Sequence, residues 1–270
     1  MIPAQFEYVA AESAVDGLVL LAEYGDDAKL LAGGHSLLPM MKLRLAAPQV
    51  LIDIGGLTEL AGVSTDGDEL VVGATTRHAD LAASELARAE APLLAYAAAQ
   101  VGDPQIRHRG TIGGSLAHAD PAADLPMALV ALGGTVVLQG PEGSRSVAAD
   151  DFFQGYFETA MEPGELLVSV RVPRRPGVPW GYQKFVRRSN DWAIVGVAAV
   201  AGRIALANMG ATPLRATGAE EALAGGASAA EAAGHAADGT SPGEDIHADR
   251  EYRRHLAKVL TRRALEHQTG

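Results

Sequence analysis

Apolar positions along the chain change their spacing several times, and each change marks an element. In residues 12–24, Val15, Leu18, Val19 and Ala22 recur every three or four positions, which predicts an amphipathic helix. Residues 29–32 form a short apolar run that stops at glycine and read as a strand. Residues 49–54 are rich in β-branched side chains and close on Gly55-Gly56, predicting a second strand, and residues 69–74 repeat that pattern. The alanine- and leucine-heavy stretch 78–100 predicts one helix by propensity. Residues 122–138 predict an apolar helix that passes through Gly133-Gly134 into a strand, and 166–172 a further strand. After the proline-bearing segment 171–180, which reads as a domain boundary, strands are expected near Lys184 and at 194–201 and 203–207. Helices are expected at 216–223 and 250–267, while 225–247 has no clear period. On the last helix, Tyr252, Leu256, Val259, Leu260 and Ala264 fall on one face and arginines on the other.

Two glycine pairs, each followed by a hydroxyl residue, interrupt this pattern: Ala32-Gly33-Gly34-His35-Ser36-Leu37 and Thr111-Ile112-Gly113-Gly114-Ser115. Consecutive glycines let the backbone approach a ligand and turn several N–H groups toward one anion, with serine as a further donor. Two such loops, the second reached through a helical stretch as the first is through a strand, suit a pyrophosphate held by neutral dipoles. The competing reading is two ordinary tight turns, the role assigned to Gly55-Gly56, Gly133-Gly134 and Gly225-Gly226.

Composition narrows the field. The 270 residues can bury a sizeable core and suit two or three subdomains. A formal net charge of -11 disfavours nucleic acid and anionic membranes as partners. With no cysteine, the chain forms no disulfide and ligates no iron–sulfur cluster through thiolates of its own. The amino terminus does not read as a secretory signal and no apolar run approaches the roughly 20 residues of a membrane span, so a cytoplasmic location is expected. No glycine is followed by another two positions on, and none precedes lysine, so neither a Rossmann fingerprint nor a Walker A loop can be written. The eight histidines show no metal-ligand spacing, and no metal site is expected.

Around the glycine pairs, the blocks AGGHSLLPMMK (32–42) and VGDPQIRHRGTIGGSLAHADPAADLP (101–126) are followed by YQKFVRR (182–188), DWAIV (191–195) and YRRHLAKVLTRRAL (252–265). In this order the blocks resemble the FAD-binding medium subunit of molybdenum hydroxylases, the group that includes aerobic carbon monoxide dehydrogenases and xanthine dehydrogenase. The likeness spans nearly the whole chain. It implies an α+β fold: a two-part FAD-binding domain of the PCMH, or vanillyl-alcohol oxidase, type over residues 1–172, subdivided near 55. A smaller carboxy-terminal α+β domain of the CO dehydrogenase flavoprotein type follows over 178–270.

The resemblance implies that residues 32–37 and 111–115 hold the FAD pyrophosphate without a covalent bond. Asp124 matches a family acid that accepts from ribityl hydroxyls; its competing role is a helix N-cap, for which Asp120 with Pro121 after it is the better placed. Lys184 matches a lysine near the flavin pyrimidine, where a cation favours reduction, against the alternative of a surface lysine. Trp192 falls where relatives cover one face of the isoalloxazine, against plain core packing. The implied activity is electron relay. Electrons come from [2Fe–2S] centres on a small partner subunit, a large molybdopterin subunit oxidises substrate, and the acceptor is a quinone, oxygen or NAD. The assembly implied is a dimer of heterotrimers, with the 250–267 region as a docking surface. Two alternatives stay open here: a stand-alone flavin oxidase or reductase with FAD bonded to His35, and a non-catalytic nucleotide-binding scaffold.

Overall fold

Three short parallel strands open the chain. A computed structural model describes residues 2–269, and in it β1 (Glu7–Ala10), β2 (Ala28–Leu31) and β3 (Val50–Asp53) form a sheet ordered β1-β3-β2. Helix α1 (Ala14–Tyr24) starts at Ser13, whose hydroxyl accepts the Asp16 N–H at 3.0 Å. It packs on the sheet through buried Gly17, where an added Cβ would sit 3.6 Å from Ile54. The inward face therefore differs from the expected stripe: Leu18 and Leu21 face the core, while Val15 and Val19 are 71% and 57% exposed. Helix α2 (Leu37–Lys42) follows the first glycine motif directly.

The middle of the chain builds a five-stranded antiparallel sheet, ordered β4-β5-β10-β6-β7, from β4 (Val63–Asp66), β5 (Glu69–Gly73), β6 (Thr135–Gly140), β7 (Gly143–Ala148) and β10 (Leu166–Pro173). Between β5 and β6 lie helices α3 (His78–Ala83), α4 (Glu85–Glu90), α5 (Pro92–Ala99), α6 (Pro104–Arg109), α7 (Ile112–His118) and α8 (Asp124–Leu132). The single helix expected over 78–100 is thus three. Ser84 caps a new helix by accepting the Ala87 N–H, and Pro92, which has no N–H to continue a helix, starts another. Helix α8 is buried along its whole length and ends at Gly133, in the left-handed region at φ 66°. Short α9 (Ala149–Phe152) and the hairpin of β8 (Phe153–Gly155) and β9 (Glu158–Thr159) complete this half.

The carboxy-terminal part is an antiparallel sheet of β11 (Trp180–Phe185), β12 (Val195–Val200), β13 (Arg203–Ala207) and β14 (Leu214–Arg215), in that order. Helices α10 (Thr217–Ala224), α11 (Ala229–Ala233) and α12 (Arg250–Glu266) accompany it. Helix α11, inside the stretch without a clear period, is specified by a capping box between Ser228 and Glu231. One sheet face packs through Val197, Ile204 and Leu206 against α12, and the other through Trp180, Tyr182, Ala198 and Val200 into the core around α5 and α8. The expected polarity of α12 needs correction. Arg253 is 2% exposed and turned inward to the Ile194 carbonyl and, at 2.5 Å, to Asp245, whereas Tyr252 is 42% exposed.

Candidate functional site

Parallel strands β2 and β3 end side by side, and both continue into glycine: Gly33-Gly34 after β2, Gly55-Gly56 after β3. The carboxyl ends of parallel strands are where open α/β sheets place ligands. Here Gly55 is more than a turn, since a Cβ on it would lie 2.7 Å from the Ala32 carbonyl oxygen. Gly34 takes φ 76°, reversing the chain into α2. Among the described residues, no protein acceptor takes the N–H groups of Gly33, Gly34, His35, Ser36 or Leu37; the first committed one is Leu38, bonded to Gly34 O at 3.0 Å. Five successive open donors at a strand-to-helix turn make a nest for an anion. His35 is exposed and Ser36 offers a hydroxyl with no protein partner.

The second motif works differently from the expectation. It is not a loop: Thr111 is the N-cap of α7, its hydroxyl accepting the Gly114 N–H, and Ile112 to Ser115 form the first turn. Nor are its N–H groups free as a set. Ile112 donates to Thr76 O, Gly113 to Ala74 O and Ser115 to Thr111 O. As expected it is reached through helix, here α6, whereas the first follows strand β2, so the two contexts are not comparable. Its glycines serve close approach instead: a Cβ on Gly113 would come within 2.7 Å of Ala74 Cβ. The Ser115 hydroxyl has no protein partner, and Thr111 and Gly113 are buried while Gly114 is exposed.

The two motifs meet. A Cβ on Gly33 would collide with Arg109 O and approach Gly110 Cα to 2.8 Å, so the first nest lies flush against the peptide that leads into the second. Arg77 ties this junction together, donating to Arg109 O at 2.5 Å and to Gly55 O at 3.0 Å. Burial and the neighbouring Arg109 lower the pKa of its guanidinium. His78, packed on Gly110, is held to a pKa of about 4 by burial, reinforced by His35, Arg107 and Arg77. Arg77 and His78 were not signalled by any sequence motif; what placed them is the pairing of residues 74–78 with 110–113, while Gly55, read as a turn, is brought to the site by the pairing of β2 with β3. The junction of the two motifs is therefore braced by Arg77 and buried His78 as well as closed by glycine.

Asp124, Lys184 and Trp192 occupy other positions. Asp124 is not a cap: the N-cap of α8 is Ala123, and the Asp124 carboxylate is 3% exposed, taking a hydrogen bond from the Tyr182 hydroxyl and one from Lys184 Nζ at 2.9 Å. Asp120 accepts the Ala122 N–H at 2.8 Å, closing the turn before α8 and not the helix itself. Burial raises the Asp124 pKa against the pull of Lys184 and Tyr182. Lys184 is no surface lysine; its side chain is 9% exposed and its ammonium also donates to Gln100 O at 3.2 Å. Just beyond Gln100, Arg107 holds the Val101 and Gly102 carbonyls at 3.0 Å each, and its charge reaches His78. Trp192 is not core: it stands 55% exposed on the segment between β11 and β12.

These cradles suit a dinucleotide: an open donor nest, uncommitted hydroxyls on Ser36 and Ser115, and glycine contacts that any side chain would fill. The chain matches two family models, the "FAD binding domain in molybdopterin dehydrogenase" over residues 4–175 and the "CO dehydrogenase flavoprotein C-terminal domain" over 180–268. It is 45% identical to the carbon monoxide dehydrogenase medium chain of Hydrogenophaga pseudoflava, covering 98% of this chain and 97% of that one. It is 39% identical to subunit alpha of the 6-hydroxypseudooxynicotine dehydrogenase complex of Paenarthrobacter nicotinovorans, over 98% and 95%. Among solved structures, carbon monoxide dehydrogenase from Hydrogenophaga pseudoflava superposes with a TM-score of 0.94 at 46% identity, covering 98% of both chains. Quinoline 2-oxidoreductase from Pseudomonas putida 86 does so at 0.92 and 36%, covering 98% and 97%. With fold and both halves of the sequence in agreement, the chain belongs to the FAD-binding medium-subunit family of the molybdenum hydroxylases and is an oxidoreductase subunit whose cofactor is FAD.

Proposed function

We propose that this chain is the electron-transfer subunit of a molybdopterin-dependent hydroxylase or dehydrogenase. It would receive electrons from [2Fe–2S] centres of a small partner subunit and pass them to an external acceptor, a quinone, oxygen or NAD. The observation that carries this reading is the run of five open N–H groups in residues 33–37, closed by the Arg109–Gly110 peptide. Bound FAD supplies the exchange between single electrons on one side and electron pairs on the other. The residues of this chain bind and orient it. The nest and the hydroxyls of Ser36 and Ser115 would receive the pyrophosphate, the buried Asp124–Lys184 pair would set the polarity behind the flavin end, and exposed Trp192 would cover the ring. Iron–sulfur ligation falls to a partner because this chain has no cysteine, and the molybdopterin subunit completes a heterotrimer that pairs into a dimer in the cytoplasm.

Acid precipitation tests the binding mode. FAD released into the supernatant is the expected result, since the nest offers hydrogen bonds and not a covalent link; colour retained in the pellet would point to a bond at His35 and to the stand-alone oxidase. Co-purification tests the assembly: a tagged copy expressed in its native host should bring down an iron–sulfur and a molybdenum subunit. Their absence under gentle conditions would defeat the relay.

A further inference from the structure

His78 opens helix α3 and is 4% exposed. Its backbone N–H donates to Gly110 O at 3.0 Å, and on the same segment Thr76 O and Ala74 O accept the N–H groups of Ile112 and Gly113 at 3.1 and 2.9 Å. Residues 74–78 thus run along 110–113 and carry the second motif. The imidazole adds a contact that this pairing does not require. Its Cδ2–Nε2 edge lies on Gly110, where an added Cβ would come within 2.7 Å of both atoms. Gly110 is also the residue on which Gly33 closes, at 2.8 Å from its added Cβ to Gly110 Cα. Ring and Gly33 both abut Gly110, so the bulk of the ring bears on how near the second motif stands to the first.

The choice of histidine for this bulk is otherwise unfavourable. Nδ1 is buried with no protein partner, a cost that a leucine of similar size would avoid. Burial disfavours a charged ring, and the charges of His35, Arg107 and Arg77 add to that effect. A position that breaks local packing rules in the middle of a ligand cradle marks a functional constraint.

We propose that His78 is a positioning residue of the dinucleotide clamp, its imidazole seating Gly110 against Gly33 and setting the gap across which the pyrophosphate is held. The inference rests on the reading that the two motifs hold the FAD pyrophosphate.

The test uses the purified full chain, with FAD and ADP affinities measured by titration and the visible spectrum recorded at saturating FAD. His78→Ala unseats the peptide, and FAD and ADP should weaken by the same factor, about tenfold or more, with the flavin spectrum unchanged. Gly110→Ala keeps the ring and forces the peptide off it, and should give the same pattern; it decides the matter alone if His78→Ala does not fold. In the double variant the new methyl occupies space vacated by the ring, so affinity should recover by about threefold or more over His78→Ala. A merely structural histidine would lower the unfolding midpoint and leave both affinities of the folded chain within about twofold in the variants, and that result overturns the proposal, as does the absence of any recovery. A wild-type chain that binds neither ligand would instead sink the clamp itself.

Discussion

Lys184 Nζ stands 2.9 Å from Asp124 Oδ2, joining β11 of the carboxy-terminal sheet to the first turn of α8 with both side chains nearly sealed from water. The second carboxylate oxygen takes the Tyr182 hydroxyl, two residues before Lys184 on the same strand and the same face. Three polar groups that sequence alone scatters over sixty positions are thus one buried network between the two parts of the fold.

Breaking one side of that pair should cost far more than removing both. Asp124→Ala leaves a buried ammonium and an unpaired tyrosine hydroxyl, and Lys184→Met leaves a buried carboxylate; each is expected to lower unfolding free energy by about 3–5 kcal/mol. The combined variant Asp124→Leu/Lys184→Met should lose less than either single change. Urea unfolding of the three variants settles it, and strictly additive losses would show that the groups are not coupled.

Gly33→Ala should abolish FAD binding, because its methyl would strike Arg109 O and drive the nest away from the second motif. Gly56→Ala is the matched control: a Cβ there meets nothing within 4 Å and its φ is not in the left-handed region. The expected outcome is FAD content near that of wild type for Gly56→Ala and at least about tenfold weaker binding for Gly33→Ala. Equal retention by both would remove the close approach from the mechanism.

That contrast also shows what the sequence could convey. The pair at 33–34 was legible as a run of open donors because consecutive glycines turn N–H groups outward, but the same reading failed at 113–114, whose N–H groups are committed and whose glycines serve close approach to Ala74. Gly55, Gly110 and His78 were not legible, because their importance comes from which backbone they touch, and that depends on the parallel pairing of β2 with β3 and the pairing of 74–78 with 110–113. Elements were read well where period and boundary agreed, as for β5, β10 and α12. The stretch 78–100 was misread because alanine propensity hid two local signals, the Ser84 cap and Pro92. Arg253 inside α12 defeated the amphipathic rule because its partners, Ile194 O and Asp245, come from distant segments.

Acid should weaken the fold through His78. An unfolded histidine takes up its proton near pH 6.5, whereas in the folded chain this one resists until about pH 4. The folded pKa is the lower, so its contribution is neutral above 6.5 and destabilising as pH falls through that window. At about 1.4 kcal/mol per pH unit, the gap amounts to about 3 kcal/mol by pH 4. Comparing urea unfolding of wild type and His78→Gln at pH 7 and pH 4.5 isolates the effect. The wild type should lose more of its stability; matching losses would mean that His78 titrates normally.

Trp192 offers the cleanest separation of electron exchange from binding. The chain just after it is pinned, by Asn208 donating to Ala193 O at 2.8 Å and by Arg253 to Ile194 O, yet the indole itself is exposed. Trp192→Ala should therefore leave unfolding free energy within about 0.5 kcal/mol, as for other exposed positions, and FAD affinity within about threefold. What it should change is access. With one ring face opened to solvent, dithionite-reduced protein should be reoxidised by dissolved oxygen several-fold faster, about fivefold if the indole is the main barrier. Stopped-flow absorbance at the flavin band measures this directly on the isolated chain, with no partner needed. A rate equal to wild type at unchanged affinity would place Trp192 away from the isoalloxazine and leave it free to meet another subunit.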